Sequence, residues 1–283
     1  MGKLFDVMAQ FKVVGNTLSV EPYGSGHINV TYLAVTDKKR YILQKINNNL
    51  FKDVDKLMNN IYLVTEHLKN KCPEKTVLTL VKTLDDKPYL VYDNEYYRVY
   101  DFIENSVCLQ IPRDTNEFYE SAVSFGDFTN MLADFDATKL YEILPNFHNT
   151  VVRFKNFETA LANNLSNRAH LAKEEIEFAL ARKEIASKIV SLIEKGDMPL
   201  KVTHNDTKLN NVLLHEETLK GLAVIDLDTV MPGSVCYDFG DSIRFGCNSS
   251  YEDEEDLSKV YFKMDMFEAY VKGYLSNCFE LWF

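Results

Sequence analysis

The order of apolar patterns along the chain predicts an α+β protein of two lobes, a small antiparallel sheet with one main helix followed by a larger, mostly helical part. Three observations carry this expectation. Short runs rich in β-branched and aromatic residues, separated by polar turns, occupy residues 17–47 and 76–103. A helical periodicity lies between them over 53–70, and from Thr115 onward helical patterns dominate. The break falls near Asp101 to Ser106, so the lobes are expected as residues 1–103 and 104–283. Between a small sheet and a helical body, the cleft is the natural ligand site.

The elements follow in order. Thr17 to Pro22, Ile28 to Val35 and Arg40 to Ile46 read as strands, broken by a glycine turn and by Thr36-Asp37-Lys38-Lys39. Val54, Leu57, Met58, Ile61 and Leu68 recur at helical spacing over Asp53 to Asn70. Strands return at 76–84, 88–93 and 95–103, linked by Asp85-Asp86-Lys87 and Asp93-Asn94. In the second part the spacing predicts a long helical run from Asn156 to Glu194 that Gly196 ends. The acidic run Tyr251 to Asp256 reads as a solvated loop entering a helix, where carboxylates suit the N-terminus. The last residues, Cys278 to Phe283, are apolar but for Glu280 and hold the only Trp, which suggests a shortened chain.

Composition narrows the function. The net charge of −11 argues against an extended nucleic-acid surface, which needs clustered Lys and Arg. It leaves room for an anionic nucleotide, since Mg²⁺ and a few local cations supply the attraction. No apolar run reaches the roughly 20 residues that span a bilayer, and the N-terminus lacks the pattern of a signal peptide. Five scattered cysteines without a C-x-x-C pair fit reduced thiols in a cytoplasmic protein, not a disulfide frame or zinc site.

The chemistry concentrates in two stretches, Val202 to Asn211 and Val224 to Asp228. The first, with His204, Asp206 and Asn211, carries the H-x-D-x-x-x-x-N pattern of kinase catalytic loops. There Asp206 is the expected base or aligner for an attacking hydroxyl, and Asn211 offers a neutral oxygen to Mg²⁺. Asp226 ends an apolar run and offers a second, charged ligand from a fixed strand. Lys208 stands where an ammonium can neutralise a transferring phosphoryl group, and His204 braces the loop. Asn210 is the alternative metal ligand if the loop register differs by one. A plain surface turn explains either stretch alone; their order and short gap make phosphoryl transfer from a nucleotide the better account. Asp238-Phe239-Gly240 resembles a metal-binding turn but follows no clear strand. Asp238 or Asp241, with Arg244, is expected to brace the catalytic loop or line the acceptor pocket.

On the sheet side, Gly24-Ser25-Gly26 lets backbone approach phosphates closely, although hairpin turns use the same residues. Along the next strand only one of Gln44 and Lys45 can face the cleft, because side chains alternate. Lys45 would pair with Glu66, and Gln44 with Asn59 or Asn60. The connector from Asp101 to Ile103 has backbone groups suited to an adenine edge. Asp228, Arg244, His148 and Arg153 are candidates for the acceptor side, with loop packing the competing account for His148 and Arg153.

These residues resemble the aminoglycoside phosphotransferase and choline kinase superfamily, which has a protein-kinase-like fold. Within it the chain looks most like the N-acetylhexosamine 1-kinase branch. The matching pieces are Gly24 to Asn29, Tyr41 to Asn47, Arg98 to Ile103, Phe125-Gly126, Pro145 to His148, His204 to Asn211, Ile225 to Pro232 and Asp238 to Arg244. The resemblance implies MgATP-dependent transfer of the γ-phosphate to a sugar hydroxyl, the anomeric 1-OH of an N-acetylhexosamine, an amino sugar. It implies Asp206 as base and Asn211 and Asp226 on Mg²⁺. Members of the branch continue for several helices that help close the acceptor site. A kinase for choline, homoserine or an aminoglycoside is the nearest alternative, and a nucleotide-binding pseudokinase module the next. Protein kinase activity is not expected, since no A-P-E signature follows Asp226.

Overall fold

The first third forms a sheet with apolar side chains on both faces, each covered by a helix. In the computed structural model, which describes residues 2–24, 26 and 28–277, the strands are β1 (Thr17–Pro22), β2 (Val30–Thr36), β3 (Arg40–Ile46), β4 (Leu80–Val81), β5 (Leu90–Tyr92) and β6 (Glu95–Asp101). They pair antiparallel in the order β1-β2-β3-β6-β4, with β5 also on β6. Helix α1 (Lys3–Met8) presses Val7 and Met8 onto Tyr41, Leu43, Tyr97 and Val99 on one face. Helix α2 (Val54–Lys71) starts at Asp53, whose side chain accepts from the Lys56 amide. Its Leu57, Met58, Ile61 and Leu68 pack with Ile46 and Tyr100 on the other face.

The same cluster takes in Phe128, Leu132, Leu227 and Val230 of the second lobe. Asn60 of α2 joins it: its Nδ2 donates to the carbonyls of Tyr141 (2.8 Å) and Val230 (2.9 Å), and its Oδ1 accepts from the Tyr141 amide (2.9 Å). The lobes therefore share one core and one fully used buried amide.

The chain leaves β6 at Asp101 and enters β7 (Ser106–Cys108), then α3 (Thr115–Met131). After α4 (Thr150–Asn163), α5 (Lys173–Leu180), α6 (Lys183–Ala186) and α7 (Lys188–Lys195) come β8 (Lys201–Thr203), β9 (Val212–His215), β10 (Gly221–Val224) and β11 (Met231–Gly233). Helices α8 (Val235–Gly246) and α9 (Met264–Ser276) complete the described part. Two small sheets, β10-β9-β7 and β11-β8, support the loops between them. Helix α9 lies close against α3: a Cβ on Gly126 would come within 2.7 Å of the Tyr274 carbonyl oxygen.

Some expectations are corrected. The strand expected at 76–84 shrinks to Leu80–Val81, because β6 offers its second edge to two partners. Leu80 and Val81 pair with Tyr100 and Val99, while Leu90 and Val91 take Tyr97 and Tyr96. The long run at 156–194 is several short helices, broken where Asn164 and Asn167 adopt positive φ (38° and 49°). Gly196, at φ 78°, does end the last of them. The acidic run leads into a 3₁₀ turn at Leu257–Lys259, and the next helix starts only at Met264. Among the described residues no helix is long and apolar enough to cross a membrane.

Candidate active site

The loop after β8 carries His204, Asp206 and Asn211 on a frame of hydrogen bonds. Asp238 of α8 accepts from the amides of His204 (2.8 Å) and Asn205 (2.7 Å), and Asp241 accepts from the Thr207 amide (3.1 Å). Burial pushes the Asp238 carboxyl up to about 6, against the pull of those donors. His204 is fully buried, and its Nε2 lies 2.8 Å from the Ile225 carbonyl. A carbonyl only accepts, so Nε2 carries the proton and Nδ1 is left to accept from the Asp206 amide (3.3 Å). His204 thus holds the loop with both nitrogens and does not line the cleft, so of the expected catalytic residues it is a brace and not a group that meets substrate.

Asp206 and Asn211 meet directly. The Asn211 Nδ2 donates to the Asp206 carbonyl (2.7 Å) and to its carboxylate (3.1 Å), which leaves the amide oxygen free to meet a cation. The Ile225 amide donates to the Asn211 carbonyl (2.9 Å), and Thr229 Oγ1 donates to the His204 carbonyl (2.6 Å). These bonds stitch the loop from His204 to Asn211 to the turn that bears Asp226. Asp226 itself has φ 59°, a left-handed conformation that costs a non-glycine residue on the order of 1–3 kcal/mol. Burial and the neighbouring Asp228 push its carboxyl up to about 7. A carboxylate kept so crowded suits a cation, and Mg²⁺ needs only one or two such ligands beside phosphate and water oxygens. Asp226 and Asn211 therefore fit that ion. Among the described residues no group of three or more His, Cys, Asp or Glu could hold a metal.

These side chains open on a cleft of about 1470 Å³ between the lobes, larger than the roughly 300–1,000 Å³ of common ligand sites. Gly24, Gly26, Ile42, Gln44, Asp101 and Ile103 form its sheet side. Gly24 has φ 78°, which a Cβ would penalise. Ser25 lies outside the described residues. The Phe102 amide donates to the Arg40 carbonyl (3.2 Å) and Lys39 holds the Asp101 carboxylate (2.7 Å), so the connector is fixed from β3.

Gln44 faces this cleft and Lys45 does not. Lys45 shares the sheet face of Tyr41 and Leu43, and its Nζ pairs with Glu95 Oε1 at 3.0 Å. That removes it from the nucleotide-binding set. Gln44 pairs with Thr31 (3.0 Å) and Arg98 (2.9 Å), not with Asn59 or Asn60. Arg98, missed as a site residue by the sequence reading, is 1% exposed, and its Nη1 lies 2.5 Å from Asp228 Oδ1. The adjacent Asp228 carboxylate raises its pKa further, against its burial. A hint was present in the sequence: an arginine inside a strand of aromatic and apolar residues needs a buried partner.

A model of the phosphotransferase enzyme family matches residues 19–270. The chain belongs to this family. Solved structures of similar fold include a microcompartment-associated aminopropanol kinase, with TM-score 0.58 and 17% identity over 97% of this chain and 80% of that one. A spectinomycin phosphotransferase solved with ADP and spectinomycin matches with TM-score 0.56 and 14% identity, over 98% and 82% of the two chains. A macrolide 2′-phosphotransferase from Brachybacterium faecium gives TM-score 0.53 and 16% identity over 95% and 82%. The fold is thus the kinase-like two-lobe architecture.

The acceptor side of this phosphotransferase differs from expectation. None of Asp228, Arg244, His148 and Arg153 lines the cleft. Asp228 is buried under it, held by Arg98 and by Asn29 Nδ2 (2.6 Å). His148 packs against Phe147 and Tyr237 and meets the Asn205 carbonyl at 3.1 Å, while burial lowers its pKa. Arg153 Nε donates to the Phe147 carbonyl (2.8 Å) and is otherwise exposed. Arg244 bonds Asp241 and Glu252 behind the wall. In their place the segment from Asn248 to Lys263 walls the cleft, with Tyr251, Glu252, Asp253 and Tyr261. Glu252 also pairs with Lys208 (3.4 Å), and Glu254 with Lys259 (3.6 Å). The acidic run, read as plain solvated loop, thus reaches the site because α8 and α9 bring its two ends together.

Proposed function

We propose that this phosphotransferase moves the γ-phosphate of ATP to a hydroxyl of a neutral sugar, the anomeric 1-OH of an N-acetylhexosamine. The observation that carries the reading is the convergence of Asp206, Asn211 and Asp226 on one cleft under the glycine loop. Asp206, oriented by Asn211, accepts the proton of the attacking hydroxyl and aligns its oxygen. Lys208, which lines the cleft 3.9 Å from the Asp206 carboxylate, offers positive charge to the phosphoryl oxygens. Asn211 and Asp226 would hold Mg²⁺, which when bound would supply the charge that offsets the phosphates. Ile42 and the connector to Ile103 frame the adenine.

The preference for a neutral acceptor rests on charge bookkeeping at the wall. Glu252 is already held by Arg244 and Lys208, and Glu254 by Lys259, so few carboxylates are left for a cation. A cationic alcohol is the second reading, favoured by Asp253, which pairs with no described residue, between Tyr251 and Tyr261. The test is ATP consumption over a panel of GlcNAc, GalNAc, other hexoses, choline, homoserine, aminopropanol and kanamycin, with product analysis. Phosphate on the 1-OH of an N-acetylhexosamine is the expected result. Turnover with the cationic alcohols alone would replace the sugar reading by the second one.

A further inference from the structure

We propose that Arg98, not Lys45, supplies the positive charge that meets the nucleotide's phosphates, an inference that rests on the nucleotide reading just given. Kinases place a cation on the strand under the glycine-rich loop because the phosphates carry charge that the sheet's backbone cannot balance. Here the strand lysine is on the wrong face. Gln44 and Arg98 are direct cross-strand partners of β3 and β6, so they project together toward the cleft, while Lys45 points to Glu95 with Tyr97. Among the described residues that the sheet lobe contributes to the cleft wall, Arg98 is the one cation.

Its side chain is held as a ligand-binding group would be. Nε donates to Gln44 Oε1 at 2.9 Å, and Nη1 meets Asp228 Oδ1 at 2.5 Å. No described acceptor takes Nη2, so one edge of the planar fork is left over. The other oxygen of Asp228 accepts from Asn29, which follows the glycine loop, and Asn29 Oδ1 in turn accepts from the Asn47 amide (2.9 Å). Loop, strand and metal-bearing turn are thereby fixed around one guanidinium. A buried ion pair adds little stability over apolar residues of the same size, so a purely structural role gives no reason for charge here.

The test measures dissociation constants of ADP and of adenosine, with Mg²⁺ present, for the full chain and three variants. Wild type should prefer ADP, and Lys45→Gln should keep the ADP-over-adenosine ratio within about twofold. The double variant Arg98→Met/Asp228→Asn removes the cation without stranding a buried carboxylate. It should lose about 10-fold of that ratio at unchanged adenosine affinity. Arg98→Lys should keep part of the ratio, as a point charge without the fork. The proposal fails if Lys45→Gln abolishes the preference or if the double variant retains it. It fails equally if the double variant loses ADP and adenosine in the same proportion, the mark of a structural role. A wild type that binds adenosine as well as ADP, or neither, takes down the nucleotide reading itself.

Discussion

Asp206 is where the chemistry is most exposed to test. The Asn211 amide holds both its carbonyl and its carboxylate, so Asp206→Asn should change the proton acceptor and little else. A fall in kcat of about 10²–10⁴ is expected, with ADP affinity nearly unchanged. Phosphoryl transfer that survives at wild-type rate would remove Asp206 from the reaction. Residues of this kind were legible early because a loop pattern of fixed spacing leaves little freedom: Asp206, Asn211 and Asp226 all reach the cleft. The choice between Gln44 and Lys45 was not legible. Both faces of β3 carry apolar residues, Tyr41 and Leu43 on one and Ile42 and Ile46 on the other, so alternation alone named no cleft side.

Two predictions belong to the elements. Gly126 lets α3 and α9 approach, and Gly126→Ala would set a methyl 2.7 Å from the Tyr274 carbonyl oxygen. Overpacking of this kind costs about 1–3 kcal/mol, read as a lower midpoint in urea; an unchanged midpoint would show that α9 shifts freely. The second concerns the anchor of α1 on the sheet. Glu95 bonds Lys3, Tyr97 and Lys45, and these hold its carboxyl well down, to about 2 from 4.5. A lowered acid contributes stability above its unfolded pKa and loses it as pH falls through the folded one. The contribution should therefore be full above about pH 4.5 and fade toward pH 2. Glu95→Gln should be less stable than wild type at pH 6 and converge with it near pH 2; a constant difference across that range would contradict the assignment. Because Glu95 and both lysines are part-exposed, the effect should also shrink in high salt.

At the scale of the molecule, the lobes are expected to unfold together. The cluster around Leu57, Met58 and Ile61 runs on into Phe128, Leu227 and Val230, and Asn60 bonds backbone of the second lobe. Calorimetry should show one transition, and Asn60→Ala, which strands buried groups at three bonds, should lower it by the equivalent of about 2–4 kcal/mol. Two separate transitions in wild type would contradict the shared core. The sequence by itself determined the α+β class, the sheet-then-helix order and the spacing of Asp206, Asn211 and Asp226, since these rest on local periodicity and on spacing within short segments. Only the tertiary structure decided which side chains meet across 130 or more residues: Arg98 with Asp228, and Asn29 with the same carboxylate 199 positions away. Such pairs leave no periodic trace, because what selects them is the cost of burying a charge alone, and that cost exists only once the lobes have closed around it.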